Sequence, residues 1–416
     1  MAKYTFKNIT EHPKYMAGVK LLHQILAREK PSPMNIINLY SSGVEKPIAE
    51  QIEYYYRKKG YEPRHPRTHL SEPKTTILDA RESLGADETY NKIRSSIEKR
   101  DPPEMADLEK IFGSHTNHAA KLLEAYLHKD YRDDLKRHCG VLNAAHIFRV
   151  AGVAYKQGLS EDSVMAALAH DSEEDLLGIV NSKKGKPYGL TGILDFEKDF
   201  LPEQVTPLVR TLTNYYDLIS KDLKHTFHKT KKIVPSYNQV RKRLESLEKK
   251  NIPPVQGKIR NLEKLLLESS GIIDKEEVIR SLKTLAYMDL YTPELLKDSV
   301  GIGMQELIIV KADDLLDNAH GMDMLPVENR VKNIKKQTNF ALKALGLDLD
   351  IKAHDAIMEL YENSLRMAEA ELFSVMIGED SFQDRFAASL AMLRMGLEDC
   401  FVEMHYDSLK SMLPSK

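Results

Sequence analysis

Residues 168–175 read LAHDSEED, a histidine and four acids within eight positions. On a helix, His170 and Glu174 lie four apart, as do Asp171 and Asp175, so both pairs face nearly the same side. The preceding DSVMAALA offers Asp162 or Ser163 as a cap and then strong helix formers, which makes LAHDSEED the C-terminal end of a core helix. Burying such acidity without compensation is expensive, and a bound cation removes the cost. Imidazole with carboxylate suits Mn, Fe, Zn or a similar divalent ion. Two residues do not fill a coordination shell, so further ligands have to come from elsewhere. The alternative reading is an exposed acidic helix end with an incidental histidine.

Two other segments bear on that choice. RHCGVLNAAHIFRVAG, residues 137–152, sets His146 among Ala145, Ile147, Phe148 and Val150, as a ligand or as a satisfied core histidine. ELIIVKADDLLDNAHGM, residues 306–322, follows an apolar run with Asp313, Asp314, Asp317 and Asn318. Asp314 and Asn318 are again four apart, and a helix capped by acids is the alternative there. Residues 352–359, KAHDAIME, repeat the His-Asp pair at His354 and Asp355 but lack an acid pair on the next turn. They read as an ordinary helix start.

The elements that position these residues are helical. Apolar spacings of three and four recur in AAKLLEAYL (119–127), LNAAHIFRVAGVAY (142–155) and FAASLAMLRMGLEDCFVEM (386–404), while strand-like alternation is scarce. PIAEQIEYYYRKKGYEP, near the N-terminus, resembles an amphipathic helix ending at Gly60. The long stretch from Tyr237 to Gly271 predicts two charged helices broken at Pro253-Pro254, a helical hairpin. Val240, Leu244 and Leu247 share one face of the first, and Ile259, Leu262 and Leu266 one face of the second. His115, His118, His128, His138, His225 and His228 have no cysteines or acids in a closed ligand pattern and are expected at the surface.

A length of 416 residues implies two or three cooperating helical units. Charged residues make up 29% and hydrophobic ones 42%, which suits long solvated helices. A net charge of −2 gives no global case for nucleic-acid or membrane binding. Cys139 and Cys400 lack CxxC spacing, the N-terminal stretch lacks the apolar core of a signal peptide, and no run approaches the roughly 18 apolar residues of a span. The expectation is a cytoplasmic protein.

Together and in this order the segments resemble the metal-dependent HD phosphohydrolases, and more narrowly the hydrolase domain of the RelA/SpoT alarmone enzymes. That family's pattern is an Arg nine residues before a His, then HDxxED, then a helix with Asp and Asn four apart. Here these are Arg137 and His146, His170-Asp171 with Glu174-Asp175, and Asp314 with Asn318. The phrase IIVKADDLLDNA is similar to the family's VKLADRLHNM, with Lys311, Asp314 and Asn318 in register.

The resemblance implies an all-α HD core holding one divalent metal, commonly Mn(II), on His146, His170, Asp171 and Asp314. Glu174 and Asp175 would then handle water and its protons, Asn318 would help hold the substrate or the site, and Arg137 would contact the base. It implies hydrolysis of a 3′-pyrophosphate from a guanosine alarmone of the ppGpp type, a small nucleotide of the stringent response. Another nucleotide or cofactor phosphate, or a non-catalytic HD-type binding module, are the alternatives. The chain departs from the family at Val141-Leu142-Asn143, at Leu176, at Leu315-Leu316-Asp317, and in an interval between Asp171 and Asp314 about twice the usual length. The expected organisation is a mostly helical region 1–115, an HD domain 116–345 with the charged hairpin inserted at about 220–290, and a helical region 346–416. The insertion is a candidate lid or homo-oligomer contact.

Overall fold

A computed structural model describes residues 76–128, 141–181, 183–229, 235–268, 278–319 and 327–377. The chain divides into two units, one running from Glu72 to Asp317 and the other containing the described residues 327–377. The expected helices around residues 47–60 and 386–404, both cysteines, and Arg137 and His138 lie outside the described residues.

Among the described residues, the first unit is all-α apart from one minimal hairpin. It begins with α1 (Ile77–Leu84), α2 (Glu88–Lys99), α3 (Met105–Phe112) and α4 (Thr116–Leu127). Next come α5 (Asn143–Lys156), α6 (Glu161–Ala169) and the short α7 (Ser172–Leu176). Strands β1 (Val180–Asn181) and β2 (Lys186–Pro187) pair antiparallel, Val180 opposite Pro187. Then follow α8 (Ile193–Phe200), α9 (Thr206–Leu212), α10 (Tyr215–Lys229), α11 (Tyr237–Glu248), α12 (Pro253–Glu268), α13 (Val278–Ala286), a π-helical turn at Tyr287–Tyr291, α14 (Thr292–Gly301) and α15 (Glu306–Asp317).

Helix α5 is the hub. It packs on α1, α2, α4, α6 and α15, and α6 also meets α9 and α15. Ile147, Phe148, Val150, Ala151, Val153 and Ala154 of α5 are all buried, leaving few positions on it that face water. Phe148 stacks on Tyr90 of α2 with ring centroids 4.9 Å apart and planes 8° from parallel. Gly152 is what allows α2 so close, because a Cβ there would fall 2.7 Å from the Tyr90 ring. Helices α1 and α2, where the sequence shows no motif, are thus fitted against the central helix.

The hairpin is present as the sequence predicts. Pro253 opens α12, where a missing N–H costs nothing, and Val240, Leu244, Leu247, Ile259, Leu262 and Leu266 are all buried. Its two helices pack against each other and against α13, and α12 also meets α10. In the second unit, α16 (Val327–Leu345) packs along α17 (Ile351–Ile377). Asp350 accepts from the Ala353 amide at 2.8 Å, so KAHDAIME is a capped helix start. Among the described residues no helix is long and apolar enough to cross a membrane.

Replacing Gly152 with Ala improves intrinsic helix propensity by about 1 kcal/mol but drives a methyl into a ring pinned by stacking, an overpacking cost of about 1–3 kcal/mol. We expect net destabilisation of about 1 kcal/mol, read as a fall of roughly 2–4 °C in melting temperature for a unit of this size. A rise would show that the α2–α5 contact yields freely.

Candidate metal centre

Three elements deliver the site. His146 lies in the first turn of α5, His170 and Asp171 lie between α6 and α7, and Asp314 lies near the end of α15. The four offer ligand atoms that all fall within 4.8 Å of one another. His146 Nε2 is 3.7 Å from Asp171 Oδ2 and 3.3 Å from Asp314 Oδ1; His170 Nε2 is 3.3 and 3.4 Å from the same two oxygens. Donors at about 2.1 Å from one centre stand about 3–4 Å apart, so these separations match a common ion.

The route to this convergence differs from the sequence expectation in three respects. The cap of α6 is Ser160, whose Oγ accepts from the Ser163 amide at 3.3 Å, rather than Asp162 or Ser163. Asp162 instead meets His115 Nε2 at 2.7 Å, so His115 is buried, contrary to the expected surface position. LAHDSEED is also not one helix end. The helix stops at Ala169, and Asp171 takes φ −99° and ψ −1° before α7 begins. That break turns both His170 and Asp171 inward and sends Glu174 and Asp175 to partners of their own.

Both imidazoles are oriented from behind. His170 Nδ1 donates to the Ala167 carbonyl at 2.7 Å, and His146 Nδ1 donates to Asp317 Oδ2 at 2.6 Å. A carbonyl and an ionised carboxylate can only accept, so in the neutral rings each Nε2 presents its lone pair to the cluster. The rings are 1% and 2% exposed, and the inward His170 Nε2 makes no hydrogen bond of good geometry. A buried imidazole nitrogen aimed at two carboxylates is the donor set a divalent ion fits.

The field at the cluster favours positive charge, whether a proton on an imidazole or a metal ion in that proton's place. Burial alone would raise Asp171 and Asp314, but the facing histidines, and Lys311 beside Asp314, hold both carboxyls well below the usual range. Burial would lower His170, yet Asp171 and Asp314 outweigh it and keep the ring well above its ordinary value. Lys311 Nζ sits 2.7 Å from Asp314 Oδ2, leaving Oδ1 for the histidine side, and lies 5.5 Å from the Tyr291 ring centroid. The π-helical turn that supplies Tyr291 is a feature often found beside functional sites.

Glu174 and Asp175 line the neighbouring turn. Glu174 Oε1 accepts from the Asn214 amide at 2.9 Å; burial, with Asp217 and Asp171 adding, pushes its carboxyl up to about 8. Asp175 Oδ2 is 3.3 Å from Asn143 Nδ2 and 3.4 Å from the Tyr126 hydroxyl, and burial and Asp171 raise it to about 6. From α10, the half-exposed Lys221 places Nζ 3.2 Å from the Glu174 carbonyl and 3.7 Å from Asp217. Asn318 directly follows the last residue of α15, half-buried in a turn, and is not one of the four converging residues. Arg137 lies outside the described residues.

Sequence reasoning missed the residues behind the site. The Asp317 carboxylate, behind His146, takes a two-pronged hydrogen bond from Arg149, with Nη2 at 2.9 Å from Oδ2. The signal was there: Arg149 is three after His146 and Asp317 three after Asp314, one helical turn each. Arg81 meets Asp313 across 232 residues of sequence, with Nε to Oδ1 at 2.9 Å, and no local pattern announces it.

No family model, curated protein or solved structure matches the chain. What stands is a His-His-Asp-Asp cluster on an all-helical scaffold, consistent with a metal site of the HD type and with a metal-dependent hydrolase.

Titrating Mn(II) into the protein should raise its melting temperature, because an ion bound only by the folded state stabilises it by about 2.7 kcal/mol at 100 times its dissociation constant. Asp171→Ala should abolish that rise and lower bound metal from one equivalent to none by elemental analysis. Equal stabilisation of both proteins would place the ion elsewhere.

Proposed function

We propose that the chain is a metal-dependent phosphohydrolase acting on a nucleotide, most specifically one that removes the 3′-pyrophosphate of a guanosine alarmone. The observation that carries this reading is the convergence of His146, His170, Asp171 and Asp314, with two further carboxylates on the adjoining turn. The likeness of HDxxED and of the Asp314/Asn318 helix to the alarmone hydrolases supplies the substrate class. One divalent ion, Mn(II) in that family, held by the four residues would polarise a phosphoryl oxygen and make an adjacent water more acidic.

The remaining steps belong to the chain. Asp175, raised to about 6, is mostly ionised at neutral pH and can accept the proton of the attacking water. Glu174, raised to about 8, is mostly protonated there and can donate to the leaving 3′ oxygen. Two neighbouring carboxyls held apart in this way divide the base and acid roles. Water adds to phosphorus, the P–O3′ bond breaks, the ribose keeps a hydroxyl and pyrophosphate departs. Lys221, at the rim beside Glu174, offers an ammonium to the phosphates. Arg137 would hold the base, and Asn318 the substrate or the site, as in the family pattern.

Val141-Leu142-Asn143, standing where the family has its Glu-Pro-Tyr, favours a second reading in which the substrate is another nucleotide or a cofactor phosphate. The product separates the two: pyrophosphate from an alarmone, orthophosphate from a monoester.

Assayed with Mn(II) against a nucleotide panel, the protein should release pyrophosphate from guanosine tetraphosphate, and Asp171→Ala should lose this turnover. Stoichiometric metal with no turnover of any nucleotide would reduce the protein to a binding module. The pH dependence of kcat/KM should be bell-shaped. Activity falls below about 6 as Asp175 gains its proton and above about 8 as Glu174 loses its own, with both limbs moved to lower pH by the ion's charge. Asp175→Asn should remove the acid limb along with most of the rate.

A further inference from the structure

Behind His146 stands a connected set of charges that the proposed chemistry does not use. Asp317, with its side chain fully buried, bonds His146 Nδ1 at 2.6 Å through Oδ2. Arg149 grips the same carboxylate from α5 with both Nε and Nη2. Arg81 arrives from α1, far outside the HD motifs. Its Nη2 reaches Asp313 Oδ1 at 2.6 Å, the Asp313 carbonyl at 2.9 Å and Asp317 Oδ1 at 3.6 Å. One guanidinium therefore ties the backbone and two side chains of α15 on the side turned toward His146.

We infer that Arg81 is a positioning residue for the metal centre: through Asp317 it fixes the orientation of His146, so that helix α1 sets how tightly the four-residue site holds its ion. The inference rests on the reading of that cluster as a metal site. Carboxylates that hold the outer nitrogen of a ligating histidine fix its tautomer and raise its basicity, and losing them costs about 10–100-fold in metal affinity. Asp317 can do this only if it stays ionised and still, which burial opposes. Arg149 supplies charge from the histidine's own helix. Arg81 supplies the brace from a different one, and its fork is rigid where an ammonium would not be.

The predicted pattern is specific. Mn(II) affinity of Arg81→Met, measured by calorimetry well below the melting temperature, should fall about 10-fold or more at unchanged stoichiometry of one. Asp317→Asn should fall at least as far, and the double variant no further than Asp317→Asn alone, since both act through one carboxylate. With Co(II) as probe, the visible absorption of Arg81→Met should shift as His146 turns, a signature that loss of global stability does not produce. If Arg81→Met does not fold, Arg81→Lys decides: one ammonium cannot span all three acceptors, so affinity should still drop several-fold. Wild-type affinity and spectrum in the folded Arg81 variant, with Asp171→Ala losing the ion, would overturn the inference and leave the metal site intact. Retention of Mn(II) by Asp171→Ala would remove the metal site and this inference together.

Discussion

The structure is organised around the problem of burying α15. This one helix carries Lys311, Asp313, Asp314 and Asp317 into the interior, all of them less than a tenth exposed. An uncompensated buried carboxylate costs several kcal/mol, so each needs a partner, and a helix presents them in different directions. Asp313 draws Arg81 from α1, Asp317 draws Arg149 and His146 from α5, and Asp314 draws Lys311 and the two imidazoles. Apolar packing around α5 makes the unit cohere. The charge requirements of α15 decide which helices stand beside it, and the four-residue cluster is where those requirements converge.

Much of this was legible in the sequence, and what was not has a physical reason. The all-helical class and the hairpin faces at Val240 and Ile259 rest on periodicity, which a single chain displays, whereas the company of His146, His170, Asp171 and Asp314 came from the resemblance of three motifs, in their order, to the HD phosphohydrolases. The break at His170-Asp171 was not legible, because His170 keeps helical angles and no glycine or proline marks the departure of Asp171 to φ −99° and ψ −1°. His115 was misjudged for a similar reason. Its partner Asp162 lies 47 residues on, where it is one of two candidate caps for the following helix. Arg81 is the extreme case, a contact across 232 residues whose two ends each look like ordinary charged helix positions.

Position also explains why adjacent acids differ in character. Asp171 and Asp314 face imidazoles and Lys311 and stay ionised, while Glu174 and Asp175, a turn away, feel chiefly burial and the negative charge of their neighbours. Lys221 moderates both from α10. The stretch of chain between the two ligand-bearing segments therefore reaches the acids directly through α10.

The segment running from Tyr216 to Glu294 leaves and rejoins the core at nearly one point. Tyr216, at its start, donates to Glu294, at its end, at 2.7 Å, and Lys258 from within it binds the same carboxylate. Its two ends are thus clasped together across a sequence separation of 78, and the chain between them forms a closed excursion. The entropy of closing such a loop grows only with the logarithm of its length. Chain added at the hairpin turn, residues 249–252, accordingly costs little closure entropy, and that turn joins helices other than those holding the four ligand atoms.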